Sequence, residues 1–316
     1  MIQMDELTAP MNEILKELLQ KFASVPLSGE MITPQMFREV MEKVALQLEG
    51  SKVENHQIDN FEIKLKGRNL PARLYRPSDQ KKLPVILFFH GGGWVGGSHI
   101  THDNLCRTLC CYSDVLVLSV EYRLAPEHPY PAAVDDALDT YEWLLKNAEQ
   151  LGANANKIGV CGDSAGACLN TIISLEYAGK SGPSAQVLLC PAINVRVKTQ
   201  SKKAFGKGYM MDDDQMQWFL QQYGQGKLDL EHPHVSPWFG LIPDNYPDTL
   251  VITGGYDPLR DEGIEFAEKL KDNGVDARWS CYGEMIHGFS GFGLLPRANE
   301  SLKEAAEFFK SVFSDN

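Results

Sequence analysis

The stretch that decides the fold runs from Lys157 to Gly166, reads KIGVCGDSAG and is followed at once by ACLNTII. It joins an apolar run to a helix-like segment through the pattern G-x-S-x-G, with Ser164 at its centre. Because a serine hydroxyl is a poor nucleophile, a protein that uses one must hold it clear of the backbone and beside a base. A strand that turns sharply into a helix does this, and the flanking glycines leave room for the turn. The sequence therefore predicts a strand–turn–helix that presents Ser164.

A glycine-rich loop upstream of Ser164 supplies a second element of the same chemistry. The segment HGGGW, residues 90–94, follows the apolar run VILFF, residues 85–89. Successive glycines expose amide N–H groups that can point to where an oxyanion forms, and such donors stabilise the transition state of acyl transfer. The N–H of Ala165, the residue after the nucleophile, completes a hole of this kind. We expect the ring of His90 to brace the loop through hydrogen bonds.

The base of a serine hydrolase is predicted downstream of Ser164. Residues 254–261 read GGYDPLRD and residues 282–289 read YGEMIHGF, so the chain order serine, aspartate, histidine agrees with that of strand–turn–helix hydrolases. His287 follows the last predicted strand in a glycine-flanked loop, from which it can reach across to Ser164. Because His287 must be neutral to act as general base, activity is expected to fall below about pH 6.

The acid is chosen among three carboxylates that follow one predicted strand. Asp257, Asp261 and Glu262 all come after the apolar run that ends near residue 253. The carboxylate that orients the imidazole needs a fixed loop position beside the sheet edge. Since Pro258 suits the first turn of a helix, Asp261 and Glu262 would lie within that helix. This favours Asp257 as the acid.

Composition restricts the class of protein. The chain has 316 residues, of which 43% are apolar and 23% charged, and its net charge is −12. This acidic balance disfavours nucleic acid as a partner, because no stripe rich in lysine or arginine offsets repulsion from phosphate. No apolar stretch approaches the ~20 residues that span a bilayer, and residues 1–6 show no secretory signal. Seven cysteines without paired spacing predict reduced thiols, no metal site and a cytoplasmic protein.

Apolar runs and helical stripes alternate along most of the chain, which is typical of βαβ units. Strands are predicted near residues 61–65, 70–75, 84–89, 114–120, 157–161, 185–190, 249–253 and 276–282. Helical patterns are predicted at residues 101–112, 132–150, 165–178, 258–273 and 299–313. The first two strands form an antiparallel hairpin. We therefore predict an α/β fold with an eight-stranded, mostly parallel sheet and helices on both faces.

Segments outside this alternation are predicted to form a helical cap. Residues 12–24 and 34–48 carry apolar residues at helical spacing, and their mixed polar faces favour docking on the domain over a membrane surface. A stretch without a strand at about 195–245 is an insertion, and insertions of this length are usually functional. The predicted division is cap helices at 1–55 and a catalytic domain at 56–316. Large side chains expected to line the substrate pocket are Trp94, Tyr209, Met210 and Trp218.

The motifs taken together resemble those of a known family. They are HGGGW at 90–94, YRLAPEH at 122–128, GDSAG at 162–166, DPLRDEG at 257–263 and HGF at 287–289. In this order they make the chain similar to the hormone-sensitive-lipase-like family of α/β-hydrolases, the bacterial family IV esterases. The resemblance covers roughly residues 60–313. It implies an α/β-hydrolase fold and hydrolysis of esters with short to medium acyl chains, without metal or cofactor.

The resemblance also implies a role for each motif residue. Ser164 would be the nucleophile, His287 the general base and Asp257 its orienter. The oxyanion donors would be Gly92, Gly93 and Ala165. The chain departs from the family at Ala167-Cys168, where Gly-Asn is usual, and at Glu121, where Asp is usual. Both departures lie near the site and leave the three catalytic types untouched.

Alternatives remain open at this level. The same triad serves amidases and deacetylases, and nothing in the motifs excludes them. A ligand-binding protein built on an inactive hydrolase is the alternative from another class, but the receptors of this kind lack the histidine that the chain keeps at position 287. Lipase action on long chains is less favoured, because the predicted cap is mixed rather than apolar. A homodimer is the ordinary expectation for the oligomeric state.

Overall fold

An eight-stranded sheet lies at the centre of the protein, in a computed structural model that describes residues 7–11, 13–22 and 32–315. Its strands are β1 (Gln57–Leu65), β2 (Arg68–Arg76), β3 (Leu83–Phe89), β4 (Leu116–Val120), β5 (Ala153–Asp163), β6 (Ala185–Leu189), β7 (Asp248–Tyr256) and β8 (Ala277–Ile286). The described helices are α1 (Glu13–Phe22), α2 (Pro34–Leu48), α3 (Asp103–Ser113), α4 (Ala132–Asn147), α5 (Ala165–Tyr177), α6 (Gln200–Phe205), α7 (Asp213–Gly224), α8 (Arg260–Asp272) and α9 (Pro296–Asp315). The prediction that residues 1–6 carry no secretory signal falls outside the described residues, as do residues 12, 23 and 24 of the first predicted helix.

The strand order is β1-β2-β4-β3-β5-β6-β7-β8. β1 pairs antiparallel with β2 and β2 antiparallel with β4, whereas every later pair is parallel. Parallel strands need crossover connections, and the helices that form these connections cover both faces of the sheet. The predicted α/β-hydrolase architecture is therefore confirmed.

Side chains of the central strand β3 alternate between two of the hydrophobic cores. On β3, Leu87 belongs to one core and Phe88 to the other, as the period of two in a strand requires. The first core includes residues from α4 and α5, and the second includes residues from α3 and α9. Because both faces are covered, the central strands read as continuous apolar runs rather than alternating ones.

Four strands, β1, β5, β7 and β8, extend three or four residues beyond their predicted bounds, and β5 and β7 show why. β5 begins at Ala153 rather than near residue 157, because Ala153 pairs with Leu83 across a register irregularity. β7 continues to Tyr256, where it pairs with Ile286 after a second irregularity. The extension of β5 contains polar residues and that of β7 contains glycines, so neither has the apolar pattern that predicts a strand. Both extensions form because they pair with strands that are distant along the chain.

The helices before the first strand dock on the rest of the protein. The ring of Phe37 on α2 lies 5.6 Å from that of Trp218 and 5.2 Å from that of Phe219, both on α7. Arg38 donates to the carbonyl oxygen of Val95 at 2.8 Å and forms an ion pair with Glu127 at 2.6 Å. α2 therefore contacts both the insertion and the glycine-rich loop. The division into a cap and a catalytic domain stays a prediction.

The insertion contains α6 and α7, and within residues 195–245 the structure has no strand, as predicted. The seven cysteines are all free, and five of them are buried. Among the helices that the structure describes, none has the length and apolar character needed to cross a membrane.

Candidate active site

Ser164 occupies the turn between β5 and α5. β5 ends at Asp163 and α5 begins at Ala165, so one residue makes the whole turn. Ser164 has φ 55° and ψ −113°, a conformation that L-residues rarely adopt and that is typical of functional sites. Its N–H donates to the carbonyl oxygen of Leu189 on β6 at 2.8 Å, which helps to fix the turn.

The glycines on either side of Ser164 are required by close approach. A Cβ at Gly166 would lie 2.0 Å from the carbonyl oxygen of Phe89 on β3. A Cβ at Gly162 would lie 2.5 Å from the carbonyl carbon of Gly166. Both contacts are to backbone, which cannot move aside without disturbing the sheet. This explains physically why the G-x-S-x-G pattern marks the turn.

Three side chains from distant parts of the chain meet in one hydrogen-bonded line. His287 Nε2 lies 2.9 Å from Ser164 Oγ, and His287 Nδ1 lies 3.0 Å from each carboxylate oxygen of Asp257. Asp257 follows β7 directly and His287 follows the adjacent β8, so parallel strands deliver both to the same sheet edge. With a proton on Nδ1, the ring donates to Asp257 and its Nε2 can accept the serine proton.

Asp257 is fully buried, and its surroundings hold it in place. Its Oδ1 accepts a hydrogen bond from the N–H of Leu259 at 2.8 Å. The sulfur of Cys190, at the end of β6, lies within 4.8 Å of a ring nitrogen of His287 and a carboxylate oxygen of Asp257. Burial raises the pKa of the Cys190 thiol, so this neighbour stays neutral. Of these two neighbours of the imidazole, the charged one is therefore the carboxylate of Asp257.

Asp261 and Glu262, the two carboxylates that were not chosen as the acid, bind other groups. Asp261 Oδ2 accepts from the N–H of Ser201 at 2.7 Å, and Glu262 Oε1 accepts from the N–H of Ile193 at 2.8 Å. Both side chains belong to α8 and anchor the start of the insertion. The structure thus brings Asp257 to His287 and directs Asp261 and Glu262 elsewhere.

The glycine-rich loop lies against the nucleophile turn, and its backbone has a positive φ at Gly92, Gly93 and Trp94. Gly92 has φ 116° and Gly93 has φ 62°, and a Cβ at Gly93 would lie 2.4 Å from the ring of Phe219. Ala165 is the first residue of α5, where backbone N–H groups have no partner within the helix. Gly92, Gly93 and Ala165 all line cavities that include Ser164.

His90 braces this loop. Its ring stacks on Tyr122 at a centroid distance of 4.3 Å, and the hydroxyl of Tyr122 donates to the carbonyl oxygen of His90 at 2.9 Å. Burial lowers the pKa of His90 to about 3, so its ring is neutral at ordinary pH. The expected bracing role fits these contacts.

The environment of His287 sets an expected pH dependence. Burial by itself would lower its pKa, but the charge and hydrogen bond of Asp257 outweigh burial and raise the pKa above the usual 6.5. Since a base must be neutral, active enzyme is lost as the pH falls through this raised pKa. We expect kcat/KM to fall with a midpoint above 6.5, higher than the sequence argument suggested.

The measurement is the hydrolysis of p-nitrophenyl butyrate across the acid range, with nitrophenol quantified by chromatography because its absorbance changes with pH. Samples returned to neutral pH should regain activity, which separates protonation from acid unfolding. A rate that stays level down to about pH 4 would contradict His287 as the base.

Two cavities meet at Ser164. The apolar cavity reaches His287 and is lined largely by Phe37, Met41, Met210, Met211, Phe219 and Phe292. The lysine cavity is lined by Ala165 and Trp94 and by three lysines, Lys198, Lys202 and Lys203. Met211 and Phe219 line both cavities and stand between them.

The predicted pocket residues divide between these cavities and the core. Trp94 lines the lysine cavity and Met210 lines the apolar one, as expected. Tyr209 and Trp218 line neither. Tyr209 stacks on Tyr256 at 5.4 Å, and Trp218 is buried between α2 and α7, so aromatic packing holds both away from Ser164.

Some lining residues were missed. Phe37, Val40, Met41 and Val44 of α2 line the apolar cavity. Their helical stripe was visible in the sequence and was assigned to a docked cap, but none of its residues was predicted to line the pocket. A stripe shows that a helix face is covered and leaves open which surface covers it.

Comparisons with known proteins agree with this geometry. Residues 86–291 match a family model, Abhydrolase_3, described as an alpha/beta hydrolase fold. The ethyl acetate hydrolase of Pseudomonas putida is 36% identical over 248 residues, which cover 76% of this chain and 78% of that protein. The arylesterase of Saccharolobus solfataricus is 31% identical over 287 residues, or 89% of this chain and 93% of that protein. A hyperthermophilic esterase from the archaeon Pyrobaculum calidifontis has a TM-score of 0.90 at 38% identity, with 96% of this chain and 99% of that chain covered.

Proposed function

Since this chain belongs to the hormone-sensitive-lipase-like branch of the α/β-hydrolases, and its relatives described above are ester hydrolases, we propose that it is a serine esterase acting through Ser164, His287 and Asp257. Its substrates in this proposal are esters with short to medium acyl chains. The observation that carries the proposal is the unbroken line of hydrogen bonds from Asp257 through His287 to Ser164.

The first half-reaction transfers the acyl group to the enzyme. His287 Nε2 takes the proton of Ser164 as the serine oxygen attacks the ester carbonyl. The oxyanion that forms accepts hydrogen bonds from the N–H groups of Gly92, Gly93 and Ala165, which together supply several kcal/mol of transition-state stabilisation. His287 then protonates the alcohol oxygen, the carbon–oxygen bond breaks and the alcohol leaves.

The second half-reaction frees the enzyme. His287 takes a proton from water, the resulting hydroxide attacks the acyl carbon, and the proton returns to Ser164 as the acid departs. Asp257 stays ionised throughout and stabilises the imidazolium that forms in each half-reaction. Its burial and its bond from Leu259 keep the carboxylate aligned for both steps.

The proposal is tested with p-nitrophenyl esters from acetate to palmitate and with a p-nitrophenyl phosphonate. We expect turnover to be highest on short and medium chains, because the apolar cavity and the lysine cavity are both bounded by bulky side chains. The phosphonate should react once per chain and, by peptide mass spectrometry, label Ser164. Labelling of another residue, or no hydrolysis of any ester in the series, would overturn the proposal. Turnover confined to amides or acetylated sugars would instead assign the same triad to an amidase or a deacetylase.

A further inference from the structure

The two cavities at Ser164 can be assigned to the two halves of an ester. His287 lines the apolar cavity and is absent from the lining of the lysine cavity. Because Nε2 must protonate the alcohol oxygen, that oxygen has to lie on the His287 side of Ser164. The alcohol group therefore occupies the apolar cavity, and the acyl chain extends past Ala165 and Trp94 into the lysine cavity. This assignment rests on the proposed function.

Positive charge collects along the lysine cavity of a protein whose net charge is −12. The cationic side chains of the lining are Arg196, Lys198, Lys202 and Lys203, and its carboxylates are Asp213 and Glu262. Arg196 pairs with Glu231, and Lys202 pairs with Glu262. In each of these two pairs the positive charge is balanced by a carboxylate, so the pairs add little net charge to the cavity.

The remaining charges are unequal in number. Within the part of the chain that the structure describes, Lys198 and Lys203 have no ion pair, and both are exposed. The carboxylate that could oppose them on the lining is Asp213, which lies in the first turn of α7, where a helix end favours negative charge. The lining therefore carries two ammonium groups without an ion pair and one carboxylate, Asp213, that could balance them.

A second donor lines the same cavity. The indole N–H of Trp94 is buried and has no hydrogen-bond partner in the described ranges. The ring is held by stacking on Tyr223 at a centroid distance of 4.6 Å, and Trp94 lines the lysine cavity. Leaving a buried donor without an acceptor is costly, so such groups commonly indicate a bound partner.

We infer that the enzyme prefers esters whose acyl chain ends in a carboxylate, that is, half-esters of dicarboxylic acids. The apolar cavity takes a small neutral alcohol, and Lys198 and Lys203 attract the distal carboxylate at the end of the lysine cavity. Hydrolysis forms the bond between Ser164 Oγ and the acyl carbon, breaks the bond to the alcohol oxygen, and then cleaves the acyl-enzyme with water. The products are the dicarboxylate, the alcohol and one proton, and water is the only co-reactant.

The test compares ethyl hydrogen adipate with its neutral ω-amide, which has nearly the same length and shape. We expect the kcat/KM of the wild type to be about fivefold higher for the anionic ester, as two exposed ion pairs allow. The ratio should approach one at about 1 M salt, where the Debye length is near 3 Å. In the double variant Lys198→Ala/Lys203→Ala the ratio should also approach one, and in Lys203→Glu it should fall below one.

Lys207→Ala is the matched control, because Lys207 is an exposed lysine of the same segment that lines neither cavity. Its ratio should equal that of the wild type. A wild-type ratio of one or less, or an equal loss in Lys207→Ala, would overturn the inference. Such a result together with normal hydrolysis of p-nitrophenyl butyrate leaves the proposed function standing, whereas absence of all hydrolysis refutes the proposed function itself.

Discussion

Replacing Ser164 by alanine should reduce the hydrolysis of p-nitrophenyl butyrate by about four to six orders of magnitude while the fold is retained. The change removes one oxygen, which lies 2.9 Å from His287 Nε2, and with it the atom that would carry the acyl group. Residual activity above that of water is expected, because the oxyanion donors and the cavities remain. The φ of 55° constrains alanine as it does serine, so the turn gains no new strain.

The measurement is kcat/KM on purified protein, with circular dichroism and thermal unfolding to show that the fold persists. Ser181→Ala is the matched control, since Ser181 is exposed and only its backbone oxygen takes part in a described bond. We expect this control to behave as the wild type. Turnover near the wild-type rate in Ser164→Ala would refute the assignment of the nucleophile.

Replacing Asp257 by asparagine should lower kcat by about 10⁴-fold with little change in structure. The N–H of Leu259 donates to Oδ1 of Asp257 at 2.8 Å, so the amide oxygen of asparagine takes that position. The amide NH₂ then faces His287 Nδ1, which lies 3.0 Å from Oδ2 in the wild type. This donor competes with the amide oxygen, which is equally near at 3.0 Å, and favours the tautomer with its proton on Nε2, which cannot accept the proton of Ser164.

The loss should appear in kcat rather than in KM, because neither cavity is lined by Asp257. Phosphonate labelling of Ser164 should slow in parallel. Asp272→Asn on the exposed end of α8 removes the same charge far from the imidazole and is expected to leave kcat unchanged. If Asp257→Asn kept a kcat within tenfold of the wild type, another group would have to orient His287.

The main part of the site could be predicted because its motifs carry local constraints. The nucleophile turn needs glycine at 162 and 166, where any Cβ would meet backbone, so the pattern is visible in a single sequence. Asp257 could be preferred over Asp261 because Pro258 indicated the approaching helix, and α8 begins at Arg260.

Other features depend on contacts between distant segments, and the sequence does not encode them in any local pattern. The face of α2 that lines the apolar cavity is decided by α7, which begins about 165 residues later. Tyr209 and Trp218 have the size and polarity of pocket residues, yet ring contacts with Tyr256 and Phe37 hold them elsewhere. The extension of β5 to Ala153 likewise depends on pairing with Leu83.

Met211 and Phe219 form a partition between the two cavities at Ser164, and both come from the insertion rather than from the sheet. The groups that make and break bonds are held at strand ends and by a helix start, so this partition can change without moving them. Substitutions in the insertion can therefore change which esters are accepted, while the catalytic residues stay in place.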